Sequence, residues 1–269
     1  MKNEFKLGVI GAGFMSTAIV SRIVSVGLIK PSDIIVSDIN NDNLNKMSKF
    51  GVNVTSNNVS LVNSSEFVLF AVKPQNISYL LDEINGCSCD KFISIMAGVK
   101  KENIKRVFPR SKVARCMPNT PCSIGCGAVG IDLTDYTDEN DATFIKSLFE
   151  SLAEVVVVNE DKLNAVTGIS GSAPAYFYLF LKGIVNSGIE QGLTENEAKR
   201  LATQTMIGAG KMVFNNFDKE IDDLITAVCS KGGTTIEAIK IYNENDLENI
   251  TKQAVSACVK RAEELENSL

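Results

Sequence analysis

Up to about residue 160, short apolar runs alternate with stretches whose apolar residues recur at helical spacing. Residues 6–10 (KLGVI) form a β-branched run that ends in Gly11-Ala12-Gly13. Beyond that turn, Met15, Ile19, Ile23 and Val26 fall on one face of a helix. Further strands are expected over residues 33–38 (DIIVSD), 67–72 (FVLFAV), 92–97 (FISIMA), 113–116 and 154–158 (EVVVV). Continuous apolar strands separated by helices predict a parallel sheet covered on both faces. The strand signal ends after about Asp161. Residues 174–191 read as an apolar helix. Thr194 opens the next one, with Glu197 placed to complete a capping box. Helices are also expected over residues 219–228, from about Thr234, and over residues 246–266. The expected fold is therefore α/β. An N-terminal Rossmann-type, doubly wound and mostly parallel sheet occupies residues 1–161, and an all-α domain follows over residues 162–269. Several helices of the second part are apolar around much of their circumference, which predicts burial against a second copy of the chain.

Composition narrows the chemistry. The 269 residues are 45% hydrophobic and 22% charged, as in ordinary globular proteins. A net charge of -5 argues against a nucleic-acid or anionic-membrane partner. No apolar run approaches the roughly 18 residues of a membrane span. The stretch MKNEFKLGVIGAG lacks a signal-peptide layout, so a cytoplasmic location is expected. There the seven cysteines are reduced thiols, and none of their spacings suits zinc. Histidine is absent from the sequence. A Ser-His-Asp triad, an imidazole base and a His-ligated metal are thereby excluded, and no metal site is expected.

Gly11-Ala12-Gly13-Phe14-Met15-Ser16 reads GxGxxS after a strand and before a helix. Gly11 permits a tight turn, and Gly13 lets a pyrophosphate approach the helix N-terminus. Ser16 is small enough for close packing of helix on strand. Asp38 lies 22 positions beyond Ser16, at the end of the second strand. A carboxylate there accepts from an adenosine ribose and repels a 2′-phosphate, or else caps the next turn. No arginine follows in INNDN, so this motif favours NADH over NADPH. Ala71-Val72-Lys73-Pro74 lies at the carboxyl edge of the sheet. Lys73 faces cofactor or substrate there, or is a solvated loop lysine. Farther on, Ser230-Lys231-Gly232-Gly233-Thr234-Thr235 leads into a helix, which suits an anion or serves only as a turn.

VIGAGFM, FAVKPQ, IMAGV, RCMPNTP, GISGSAPAY and VCSKGGTTIEAI stand in the order and at the spacing of pyrroline-5-carboxylate reductases. The chain resembles that family along essentially its whole length. The resemblance implies reduction of 1-pyrroline-5-carboxylate to L-proline, the final step of proline biosynthesis, with NADPH or NADH. It also implies a homodimer that often assembles further. Ile10, Gly11, Ala12, Gly13, Phe14 and Met15 would form the pyrophosphate turn. Ala71, Val72, Lys73 and Pro74 would contact the nicotinamide side, and Asn58 the adenosine ribose or its phosphate. Met117, Pro118 and Asn119 would line the junction of nicotinamide and substrate. Ser230, Gly232, Gly233, Thr234 and Thr235 would hold the substrate carboxylate, with Thr235 near the ring nitrogen.

Three departures from the family pattern stand out. Lys231 replaces the usual proline. Asp38 stands near where NADPH-preferring members tend to carry polar or basic residues. Lys182 and Asn186 occupy helix positions that are commonly acidic. Lys182-x-x-x-Asn186 echoes the β-hydroxyacid dehydrogenases, whose catalytic lysine closely follows a glycine cluster. Gly171 is 11 residues ahead of Lys182, too far for that pattern. A non-catalytic nucleotide-sensing subunit is a further alternative, against which GGTT and MPNTP argue, since a sensor needs no second-ligand site. The implied reaction suits a chain without histidine. A cyclic imine binds already protonated at nitrogen, so its reduction leaves a neutral amine and needs no strong acid.

Overall fold

The computed structural model describes residues 4–267. Among these, eight strands form one sheet: β1 (Phe5–Ile10), β2 (Ile34–Ser37), β3 (Asn53–Thr55), β4 (Ser65–Phe70), β5 (Lys91–Ser94), β6 (Lys112–Pro118), β7 (Gly127–Asp132) and β8 (Ala153–Val157). Their order is β3-β2-β1-β4-β5-β6-β7-β8. Every ladder is parallel except β6–β7. The chain leaves β1 toward β2 on one side and later crosses to β4 on the other. The strand order therefore reverses between β1 and β4, and a doubly wound sheet opens a crevice at the carboxyl ends there.

Alternate side chains supply two cores, one on each face. Phe67, Leu69, Ile93 and Ala114 belong to one, and Val68, Phe70, Phe92 and Val113 to the other. Both faces are covered by helices α1 (Phe14–Ser25), α2 (Asn41–Ser48), α3 (Asn58–Ser64), α4 (Ile77–Glu83), α5 (Lys101–Lys105) and α6 (Glu139–Glu150). Ile19 and Ile23 of α1 are fully buried in the first core. Val26 caps that helix and is exposed, so the predicted apolar face stops one turn short.

Six predicted strands are present with shifted ends, and two more lay beyond sequence reasoning. The β2 prediction overruns at both ends, because residues 31–33 form a 3-10 turn and Asp38 leaves the strand. β3 is a three-residue edge strand in a polar neighbourhood, too short to give a period. β7 (GAVGID) is disguised by its glycines. A Cβ on Gly127 would collide with the Cys122 side chain and lie 2.9 Å from the Cys122 Cα. One on Gly130 would come within 2.7 Å of Val166. Close approach of neighbouring groups thus demands residues that lower the strand signal.

The remaining helices are α7 (Leu163–Val166), α8 (Ala173–Glu190), α9 (Glu195–Phe214), α10 (Ile221–Val228), α11 (Thr234–Glu244) and α12 (Leu247–Asn267). A π-helical turn, Thr167–Gly171, links α7 toward α8. The chain divides into two compact units. The first comprises the residues up to Pro174 together with those from Ala257 onward, and the second is Ala175–Ser256. The second unit is helical throughout. Its α9 begins at the capping box: Thr194 Oγ1 accepts from Glu197 N, and Glu197 Oε2 accepts from Thr194 N at 2.9 Å. The same helices carry Phe177, Tyr178, Leu179, Ile207, Met212 and Phe214 in exposed positions.

Candidate nucleotide cleft and anion-binding helix start

The first unit holds a cleft of about 590 Å³ at the strand-order reversal. Its lining includes Ile10, Gly11, Gly13, Asp38, Asn58, Ala71, Val72 and Lys73, eight of the residues singled out in the sequence. The turn after β1 is fixed from both sides. Gly11 N donates to Ser37 O at 2.8 Å, and Ala71 N donates to Ile10 O at 2.9 Å. Gly11 has φ +100°, and a Cβ there would stand 2.7 Å from Ala71 O. Only glycine meets both demands. At Gly13 a Cβ would find no atom within 4 Å, so its backbone faces open cleft. Gly13 is the uncapped N-cap of α1, whose first-turn N–H groups lack intrahelical acceptors. A bare backbone, an uncapped helix start and open space together fit a pyrophosphate.

Asp38 is committed in a way the sequence does not show. Its Oδ2 accepts from Ala12 N and its Oδ1 from Asn40 N, both at 2.7 Å. It braces the glycine turn and caps the following one, so the turn-capping alternative is realised. Asn58 lies across from it, with its amide oxygen accepting from Ser37 Oγ at 2.6 Å. Ser16 is buried and donates to Gly13 O at 3.1 Å, which closes the turn from the helix side.

Other candidates lie outside the cleft lining. Ala12 contributes its N–H to Asp38, and Phe14 is exposed at the start of α1. Met15 packs partly against the first core. Pro74 begins the short turn before α4. Met117 and Pro118 end β6, where Gly171 of the π-helical turn admits the Met117 side chain; a Cβ on Gly171 would be 2.8 Å from Met117 Cε. Asn119 is nearly buried and holds this corner together. It donates to Ser170 O at 3.2 Å and accepts from Ala128 N at 3.0 Å. A π-helical segment packed on the end of a parallel strand is a frequent companion of functional sites.

Sequence reasoning missed Ser37, Ile39, Asn43, Asn76, Tyr79, Leu80 and Glu83, which also line the cleft. A signal for four of them existed. Asn76, Tyr79, Leu80 and Glu83 stand at positions i, i+3, i+4 and i+7, one face of α4.

In the second unit, Gly233 is the N-cap of α11, with no side-chain cap. Gly232 has φ +73°, and a Cβ on Gly233 would collide with Ser230 Oγ. Gly233 N donates to Ser230 O at 2.9 Å. The left-handed backbone at Gly232 favours glycine, and a Cβ on Gly233 would make the Ser230 hydroxyl swing away. The N–H groups of the first turn, from Thr234 on, are left without intrahelical acceptors. Thr235 is half-buried, and Thr234 and Lys231 are exposed.

Burial raises the Cys89 thiol to about 11 and holds Cys116 well above the usual thiol range, with the Asp132 charge adding to the latter, so neither is a ready nucleophile. Among the described residues, no group of three or more Cys, Asp or Glu side chains could hold a metal ion.

Comparison with known proteins agrees with this fold. Residues 160–265 match the family model for pyrroline-5-carboxylate reductase dimerisation. Residues 6–98 match that for NADP oxidoreductase, coenzyme F420-dependent. A pyrroline-5-carboxylate reductase from Synechocystis is 33% identical over 97% of this chain and 98% of its own. The chain belongs to the pyrroline-5-carboxylate reductase family. A solved pyrroline-5-carboxylate reductase from Coxiella burnetii superposes with TM-score 0.89 at 31% identity, covering 98% of this chain and 99% of its own. The Plasmodium falciparum pyrroline carboxylate reductase, solved with NADP bound, gives 0.86 at 26% identity over 99% of both chains. Pyrroline-5-carboxylate reductases are thus matched by sequence and by fold across both units.

Proposed function

We propose that this chain reduces 1-pyrroline-5-carboxylate to L-proline at the expense of NADPH or NADH, as a homodimer in the cytoplasm. The observation that carries the reading is that the chain holds both a cleft at the strand-order reversal, lined by the glycine turn, and a second, uncapped helix start at Thr234 behind Gly232 and Gly233. A dehydrogenase needs the first; a small anionic substrate needs the second. The match over residues 160–265 to the dimerisation model, and the exposed apolar side chains of α8 and α9, support self-association. Seven free cysteines support a reducing compartment.

When bound, the reduced nicotinamide supplies the hydride. The residues of this chain do the rest by binding and orienting. The first-turn N–H groups of α11 would donate to the carboxylate, whose charge the helix dipole favours. Lys231 adds a cation to the same turn. Thr235 Oγ1 would hydrogen-bond the ring nitrogen and turn the ring, without acting as a strong acid. Asn119 would hold Met117 and Pro118 in place through its bonds to Ser170 and Ala128. No step asks for a histidine, and none is present.

The direct test is proline formation from pyrroline-5-carboxylate, followed as NAD(P)H loss. Robust turnover is expected; a carbonyl-reducing dehydrogenase or a nucleotide sensor would give almost none. Thr235→Ala is expected to lower kcat/KM by roughly 10- to 100-fold, about 1.4–2.7 kcal/mol. An unchanged kcat/KM would remove Thr235 from the mechanism.

A further inference from the structure

One end of the nucleotide cleft is unusually acidic and carries its own base platform. Ile39 is 96% exposed and Tyr79 is 80% exposed, and both line the cleft beside Asp38 and Glu83. Exposed apolar faces next to the end of the second strand suit an adenine and its ribose. Three side chains then form a relay. Ser37 Oγ donates to Asn58 Oδ1 at 2.6 Å, and Asn58 Nδ2 donates to Glu83 Oε2 at 2.9 Å. The relay settles which way the Asn58 amide faces, and it holds a second carboxylate at the ribose end.

The two carboxylates are not equivalent. Both oxygens of Asp38 accept backbone N–H groups, so its lone pairs are already partly committed within the turn. Glu83 is exposed and its one hydrogen bond is to a neutral amide. Among the described residues, the cleft lining contains a single cation, Lys73, on the loop after β4, and no arginine. A 2′-phosphate placed at this end would face the Glu83 charge with no fork of donors to receive it.

We infer that Glu83, held through Asn58 and Ser37, selects NADH over NADPH in this enzyme. A 2′-hydroxyl can donate to a carboxylate, whereas a 2′-phosphate can only accept and is repelled. The inference rests on the nucleotide reading of the cleft given above. It differs from the motif-level expectation in assigning discrimination to α4 rather than to Asp38.

The test is direct titration of NADH and NADPH, without substrate, into the wild-type protein, Glu83→Gln and Glu83→Arg, followed by nicotinamide fluorescence. The readout is the ratio of the two Kd values, which a merely structural effect on the cleft would not move. Wild type is expected to bind NADH at least about fivefold tighter than NADPH. Glu83→Gln keeps the shape and the acceptor for Asn58, and should lower the NADPH-to-NADH Kd ratio roughly three- to tenfold. Glu83→Arg should lower it further, and both shifts should shrink in high salt. A ratio unchanged in both variants, or tighter NADPH binding by wild type, would overturn the assignment to Glu83 alone. Failure of wild type to bind either nucleotide would overturn the cleft reading as well.

Discussion

Replacing Gly11 by alanine is expected to weaken nucleotide binding by on the order of 100-fold or more, a loss of about 2.7 kcal/mol. Two independent strains add at this residue. The backbone at φ +100° costs a non-glycine residue about 1–3 kcal/mol. The new Cβ would also press on the Ala71 carbonyl, 2.7 Å from its oxygen and 2.9 Å from its carbon. Neither side can easily yield. Gly11 N is tied to Ser37 O, and Ala71 N to Ile10 O, so relief of the clash pulls on both neighbours of β1. The turn must open at the place where α1 begins, and Ala12 N then loses its bond to Asp38. Titration of NADH into Gly11→Ala checks this, with far-UV circular dichroism showing that the sheet persists. Binding within about threefold of wild type would mean that the turn does not shape the pyrophosphate site.

The second large effect is on stability. Arg115→Ala is expected to destabilise the protein by about 3–5 kcal/mol in urea denaturation. Arg115 is 4% exposed, and its Nη1 lies 2.9 Å from Glu160 Oε1 and 3.0 Å from Glu266 Oε1. Glu160 and Glu266 are partly or mostly shielded from water, so neither is rehydrated freely when the guanidinium goes. Lys100, 3.6 Å from Glu266, and Asn164, which donates to it at 3.0 Å, hold part of the load. They set the loss nearer the lower figure. Arg115→Met paired with Glu266→Gln should recover part of it, because the more buried of the two uncompensated charges is then gone and only Glu160 is left without the guanidinium. A loss below about 1 kcal/mol in the single variant would show that the end of α12 is not anchored by this pair.

These two sites differ in how far the sequence reveals them. Gly11 is legible because its cause is local: a strand, a glycine turn and a helix follow one another within a few residues. The same holds for the Thr194–Glu197 capping box and for the glycines ahead of Thr234. The Arg115–Glu266 pair joins residues 151 apart, and no local pattern marks either partner. Asp38 is an intermediate case. Its place at the end of β2 is readable, but that its oxygens are taken by Ala12 and Asn40 is decided by how the loops close. Glu83 could have been placed on the cleft face of α4 from spacing, yet its bond to Asn58 could not.

By itself the sequence determined the α/β class, the parallel sheet, the glycine turn between β1 and α1 and the helical second part. Apolar periodicity, glycine geometry and helix capping act within a few residues of where they are written. The tertiary structure alone decided the antiparallel β7, the two-unit division in which the end of α12 returns to the first unit, and the partners of Asp38, Asn58, Asn119 and Arg115. Those depend on which distant backbone and side-chain atoms the packed sheet brings within hydrogen-bonding distance. At β7 packing also overrules propensity, since Cys122 and Val166 leave room only for glycine.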